Sequence, residues 1–192
     1  MELPEKIRKV REEQAPFLKK RLSEFKAVKN SQRNRIFSEL CYCLLTANFN
    51  AKRTISIQKE IGDGFLTLPE KELAKKLKEL GHRFPNTRAK YIVEARKYKD
   101  SLRFDREWLV KNIRGLGMKE ASHFLRNIGF TDYAIIDFHI IDLLVREGII
   151  KRPNTLTRRK YIEIEDRLRK INENLAELDL ILWFIETGTI LK

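Results

Sequence analysis

The stretch Gly115-Leu116-Gly117-Met118-Lys119 places a primary amine directly behind a turn punctuated by glycine. Apolar positions recur on both sides, with Trp108, Leu109 and Ile113 before the glycines and Ala121, Phe124, Leu125 and Ile128 after them. This spacing predicts two amphipathic helices joined by a short hairpin. Such a hairpin exposes backbone amides, and the second helix adds the positive end of its dipole. Gly115, Leu116, Gly117 and Met118 would then grip a DNA phosphate without regard to base sequence. A tight turn that uses glycine only for its positive φ explains the same pattern. Lys119 adds a chemical reason. A helix start disfavours a cation, and its field enlarges the neutral fraction that a nucleophilic amine needs. A lysine that only contacts phosphate is the plainer alternative.

Eighteen residues after Lys119 stands Asp137, within Ala134-Ile135-Ile136-Asp137-Phe138-His139-Ile140. It follows an apolar triplet and precedes a helical pattern, which is the position of an N-cap. A cap fixes the carboxylate at a helix mouth, where amides and the dipole favour its ionised form. An ionised carboxylate near an amine suits attack on a sugar carbon. It can orient the amine, help deprotonate it and stabilise positive charge on a deoxyribose ring. Capping and catalysis are compatible.

The remaining reactive side chains point to less. His82, His123 and His139 are scattered without neighbouring ligands, so a zinc site is not expected and the chemistry needs no metal or cofactor. His123 falls off the apolar stripe of its helix, as a DNA contact or a solvated surface residue. Cys41 and Cys43 sit in the apolar run CYCLLTA and read as buried small hydrophobes, too few for a four-cysteine cluster.

The elements that must position these groups read as helices throughout. Leu3-Pro4-Glu5 marks a helix start, and Pro16 a kink or break. Phe37, Leu40, Cys41, Leu44 and Leu45 give one broad buried face to a helix over about 31–47. Asn48 and Asn50 end it and are both placed to cap the next, over about 51–61. Leu68-Pro69-Glu70 opens a helix closed by Gly81. After Pro85 comes one with Ala89, Ile92 and Val93 inward and Arg88, Lys90, Arg96 and Lys97 largely outward. Further helices are expected over about 105–113, 118–127, from Asp137 to Gly148, after Thr157, and over about 176–186. No alternating strand pattern occurs, so the predicted class is all-α.

Lys and Arg number 40 against 27 Asp and Glu, a net charge of +13 that favours a polyanionic partner. The charged N-terminus does not read as a signal peptide and no apolar run nears ~18 residues, so a soluble, cytoplasmic protein is expected, with no membrane partner. A monomer is expected.

GLGMKEASHFLRNIG followed by AIIDFH resembles the helix-hairpin-helix, Gly/Pro-rich loop and aspartate signature of DNA glycosylases with lyase activity. More narrowly, KEASHFLRN and LDLILWFIETGTILK are similar to the type 2 8-oxoguanine DNA glycosylases of archaea and some bacteria. CYCLLTANFNA and GHRFPNTRAKYIVEAR support the same family. No proline precedes Asp137, which that subfamily also lacks, and the missing iron-sulfur cysteines separate the chain from the endonuclease III branch. The resemblance implies Lys119 as nucleophile, Asp137 as its partner and phosphate binding by the Gly115 and Gly117 amides. It further implies hairpin carbonyls able to hold a structural monovalent cation. Two helical subdomains would flank a DNA-binding cleft, a central barrel over 30–131 and a second half from 1–29 plus 132–192. Trp183 and Lys192 would belong to base recognition. 8-Oxoguanine differs from guanine on its imidazole edge, where a ring nitrogen becomes a donor that a terminal carboxylate on Lys192 could accept. Read without the family, Trp183 is a core residue and Lys192 a frayed end. The implied activity is excision of 8-oxoguanine from double-stranded DNA in base excision repair, through an imine on Lys119 and β-elimination. Two rivals remain: a non-enzymatic helix-hairpin-helix DNA-binding module, and the same fold acting on another damaged base.

Overall fold

The computed structural model describes residues 2–190, and all regular structure among these is helical. Lys192 lies outside the described residues. Helix α1 (Leu3–Glu13) is separated from α2 (Ala15–Lys29) at Gln14. Pro16 falls in the first turn of α2, where its missing N–H costs nothing, so it produces a break rather than a kink. Then come α3 (Arg33–Thr46), α4 (Ala51–Ile61), a single turn α5 (Gly64–Thr67), α6 (Glu70–Glu79) and α7 (Pro85–Ala95). A 3-10 turn (Arg96–Tyr98) leads to α8 (Arg106–Asn112) and α9 (Met118–Asn127). The chain ends in α10 (Phe138–Arg146), α11 (Arg158–Ile171) and α12 (Leu175–Thr187).

Several starts are fixed by side-chain caps. Asn50, Asp105, Asp137, Thr157 and Asn174 each accept an N–H from the third residue onward, at 2.7–3.3 Å. Each satisfies one donor that a helix start leaves orphaned. Gly129 ends α9 with φ +89°, and a Cβ there would lie 2.9 Å from Lys26 Cα. Glycine therefore both terminates the helix and lets α2 pass against it.

The buried apolar residues fall into two clusters. One is built around α3, with Leu73, Leu77, Ala89, Ile92, Leu109 and Phe124 among its members. The other joins Leu3, Ile7 and Leu18 to Leu144, Ile164, Leu178 and Ile181, so the two ends of the chain share a core. α2 hands over between them, contributing Phe25 to the second and Val28 to the first.

Two helices depart from their sequence patterns. α3 is buried on nearly every side from Ile36 to Leu45, Glu39 included, because α4, α7 and α9 surround it. On α7, Lys90 is exposed as expected, but Arg88 points inward, as does Arg96 in the 3-10 turn that follows. Arg88 donates to Ala47 O at 2.7 Å and lies over the Phe84 and Tyr91 rings. Arg96 donates to Phe65 O at 2.8 Å and Leu68 O at 2.7 Å, satisfying carbonyls around the short α5. Backbone acceptors left over by irregular chain draw in arginines that would otherwise face water.

Candidate active site

The hairpin depends on its first glycine twice over. Gly115 has φ +93°, and a Cβ there would lie 2.3 Å from Cδ2 of Tyr91. Leu116 buries its side chain in the first cluster, so only its backbone is left to face outward, while Met118 packs against the second. Gly117 is exposed, and its N–H donates to Glu120 Oε2 at 3.3 Å, half of a capping box. Oε1 of the same carboxylate is 3.1 Å from Lys119 Nζ. One carboxylate thus holds both the hairpin amide and the amine.

Asp137 lies in extended backbone and its Oδ1 accepts the Ile140 N–H at 3.0 Å, which makes it the cap of α10. Lys119 and Asp137 line the same cleft, of about 890 Å³. α9 presents Lys119, His123 and Arg126 to it at spacings of four and three. α12 presents Asp179, Trp183 and Thr187 at spacings of four.

Arg126 and Asp179 pair across this cleft at 3.3 Å. Burial pushes the Asp179 carboxyl up to about 6. The Arg126 guanidinium pulls against that rise and nearby Asp137 adds to it. Arg126 also lies 4.6 Å over the Phe25 ring, and its Nε and Nη1 have no hydrogen-bond partner among the described residues. Trp183 is half-buried and lines the cleft, so neither a plain core role nor exposure describes it. Its Nε1 has no partner among the described residues, and its ring meets His139 edge-on at 5.5 Å. Phe138, stacked on His139 at 3.9 Å, is 66% exposed beside the cleft.

His123 is not the solvated residue that its place off the apolar stripe suggested. It is buried edge-on against Tyr42 at 5.6 Å, because the polar face of α9 is roofed by the cleft wall. His82 is also buried. Its Nε2 donates to Leu45 O at 2.9 Å and its Nδ1 accepts the Phe84 N–H at 3.1 Å, an arrangement suited to a neutral ring, and burial lowers its pKa. Among the described residues no group of three His, Cys, Asp or Glu could hold a metal ion, and no helix is long and apolar enough to cross a membrane.

Sequence reasoning overlooked Arg126 and Asp179. The signal was present, since Lys119, His123 and Arg126 share one helical stripe and so do Asp179, Trp183 and Thr187. Seeing that the stripes face each other required the packing.

Residues 18–177 match the family described as 8-oxoguanine DNA glycosylase. An "8-oxoguanine DNA glycosylase/AP lyase" of Methanocaldococcus jannaschii is 54% identical over 90% of this chain and 90% of its own length. A protein of the same name from Thermotoga sp. (strain RQ2) is 42% identical over 100% of this chain and 99% of its own. The M. jannaschii 8-oxoguanine glycosylase/lyase, solved in complex with 15mer DNA containing 8-oxoguanine, superposes with a TM-score of 0.95 at 51% identity, covering 100% of both chains. By fold, by sequence and over nearly its whole length, this chain belongs to the 8-oxoguanine DNA glycosylase family.

Proposed function

We infer that this protein excises 8-oxoguanine from DNA and nicks the strand at the resulting site, with Lys119 as nucleophile and Asp137 as its partner. The observation that carries the assignment of roles is that these two residues, eighteen apart in sequence, line one cleft. A base stacked in a duplex is out of reach, so the lesion must be flipped into that cleft. The neutral Lys119 amine attacks C1′ as the glycosidic bond breaks and its electron pair leaves with the base, which takes up a proton. Loss of the amine proton and ring opening give an imine. Removal of a C2′ proton then expels the 3′ phosphate by β-elimination. Asp137 stabilises the positive charge that develops on the sugar and helps deprotonate the amine.

The hairpin amides of Gly115 and Gly117 grip a phosphate once Glu120 yields its place, and the net charge of +13 suits a duplex partner. We assign base recognition to Trp183, which lines the cleft and whose buried indole N–H has no partner among the described residues, and to Lys192. The DNA lies between two halves, 30–131 and 1–29 plus 132–192, a division supported by the two apolar clusters. The hairpin offers backbone carbonyl oxygens, a donor set that suits a hard monovalent cation, although Ile113 O already accepts the Leu116 N–H at 3.2 Å. Such an ion would offset phosphate charge. We place the protein in the cytoplasm as a monomer, in keeping with large exposed hydrophobics limited to Phe17 and Phe138 among the described residues.

Borohydride trapping on duplexes with different lesions tests the reading. A covalent adduct should form with 8-oxoguanine, and not with an oxidised pyrimidine or a mispaired adenine. Lys119→Gln should abolish adduct and nicking while leaving lesion-DNA binding largely intact. Nicking by the Gln variant, or an adduct confined to another lesion, would sink the assignment. A DNA-binding module without chemistry would give no adduct at all.

A further inference from the structure

A buried polar network lies outside the lining of the cleft. Tyr161 on α11 donates its hydroxyl proton to Ala134 O at 2.7 Å and accepts the Ile136 N–H at 3.1 Å. One turn further, Glu165 accepts the Ala134 N–H at 2.8 Å and holds Arg106 through both carboxylate oxygens, at 2.6 and 2.8 Å. Three backbone groups of the loop before Asp137 are therefore held by two side chains of one distant helix. The network also reaches α9. Ser122 Oγ lies 3.4 Å from the Tyr161 hydroxyl and 3.2 Å from Arg106 Nη1. Ser122 is one turn beyond Lys119, and Ile136 immediately precedes Asp137.

We propose that Tyr161 is a positioning residue for the reaction: its hydroxyl joins the Lys119 helix, at Ser122, to the Asp137 loop, at Ala134 and Ile136, and so sets amine and carboxylate in register. The proposal rests on the catalytic assignment of Lys119 and Asp137. Tyr161 and Ser122 are almost wholly buried, at 2% and 0% exposure, so water cannot substitute for the hydroxyl. Burial raises the phenol above its ordinary pKa, which keeps it protonated and a constant donor. Removing the hydroxyl leaves Ala134 O and Ile136 N to find partners by shifting the loop. Displacements on the order of 1 Å at reacting groups cost up to ~100-fold in rate.

The experiment compares wild type with Tyr161→Phe, Ser122→Ala, their double variant and Ile150→Ala. Ile150 is buried in the same apolar cluster, outside the network, and its truncation controls for lost stability. Single-turnover excision from an 8-oxoguanine duplex is measured well below every melting temperature, beside affinity for a duplex carrying a tetrahydrofuran abasic analogue. Tyr161→Phe should slow excision by about 10–100-fold while affinity stays within about threefold. Ile150→Ala should leave both within about threefold at a comparable loss of melting temperature. The double variant should lose little more than Tyr161→Phe alone, because both substitutions cut one link. A Tyr161→Phe or Ser122→Ala rate near wild type, an equal loss in Ile150→Ala, or full multiplication of the two single losses would overturn the proposal. Failure of the underlying reading shows separately, as wild type without adduct or as nicking that survives Lys119→Gln.

Discussion

The hairpin over 113–118 and the loop over 130–136 deliver the two candidate catalytic groups to one cleft, but they are held in different ways. The hairpin is shaped from within. Gly115 supplies the positive φ, Leu116 anchors the turn, and Glu120, three residues from Gly117, occupies its amide. The loop is shaped from outside, by Arg106, Tyr161 and Glu165 on helices far away in sequence. The surface we propose yields to a phosphate is held by one replaceable carboxylate, whereas the loop before Asp137 is held by buried bonds. The first kind of restraint costs little to release; the second cannot be released without exposing unsatisfied polar groups.

Breaking the outer support should have the largest effect. Glu165→Gln leaves Arg106 charged and buried without its counter-ion, and should cost about 3–5 kcal/mol of unfolding free energy. Urea denaturation checks this, and a loss under about 1 kcal/mol would mean the pair contributes little to holding the loop. Next comes the group that the support delivers. Asp137→Asn can still cap α10, so stability should fall by no more than ~1 kcal/mol. Turnover should nevertheless drop at least ~100-fold. Near-normal turnover in the Asn variant would reduce Asp137 to a cap.

Asp179 lines the cleft that both regions serve, and its titration gives a pH test. Its folded-state carboxyl titrates at about 6, against an ordinary value of 3.8. Between those values the folded protein binds the extra proton, so stability falls as pH rises through the window and levels off above it. The unfolding free energy of wild type, minus that of Asp179→Asn, should therefore decrease by about 2–3 kcal/mol from pH 4 to pH 7. A difference that stays flat with pH would show that burial does not hold the carboxyl up. The smallest effect should come from the self-shaped hairpin. Gly115→Ala imposes a positive φ on a residue with a Cβ that crowds Tyr91, and should cost about 1–2 kcal/mol. Undamaged-duplex affinity, measured by titration at fixed salt, should weaken with it. If Gly115→Ala cost as much as Glu165→Gln, the contrast between the two regions would be lost.

The same contrast governs what could be read from residues alone. Helix starts at Asn50, Asp137 and Thr157, the end of α9 at Gly129 and the hairpin at Gly115 were all legible. Caps, glycines and apolar spacing act over a few residues, so their chemistry is written where it operates. The places of Lys119 in the first turn of α9 and of Asp137 at the cap of α10 were legible for the same reason. The inward turn of Arg88 and Arg96 was not, because the carbonyls that draw them belong to other elements, at Ala47, Phe65 and Leu68. Nor was the burial of His123 and Arg126, since a polar stripe looks solvent-facing until another helix covers it. Arg106 and Glu165, 59 residues apart, are indistinguishable in sequence from surface charges. Local hydrogen bonding and periodicity determined which segments are helical and which residues begin them. Only the packing of distant helices decided which charges are buried, because a charge's cost depends on a partner that its own neighbourhood in the chain does not contain.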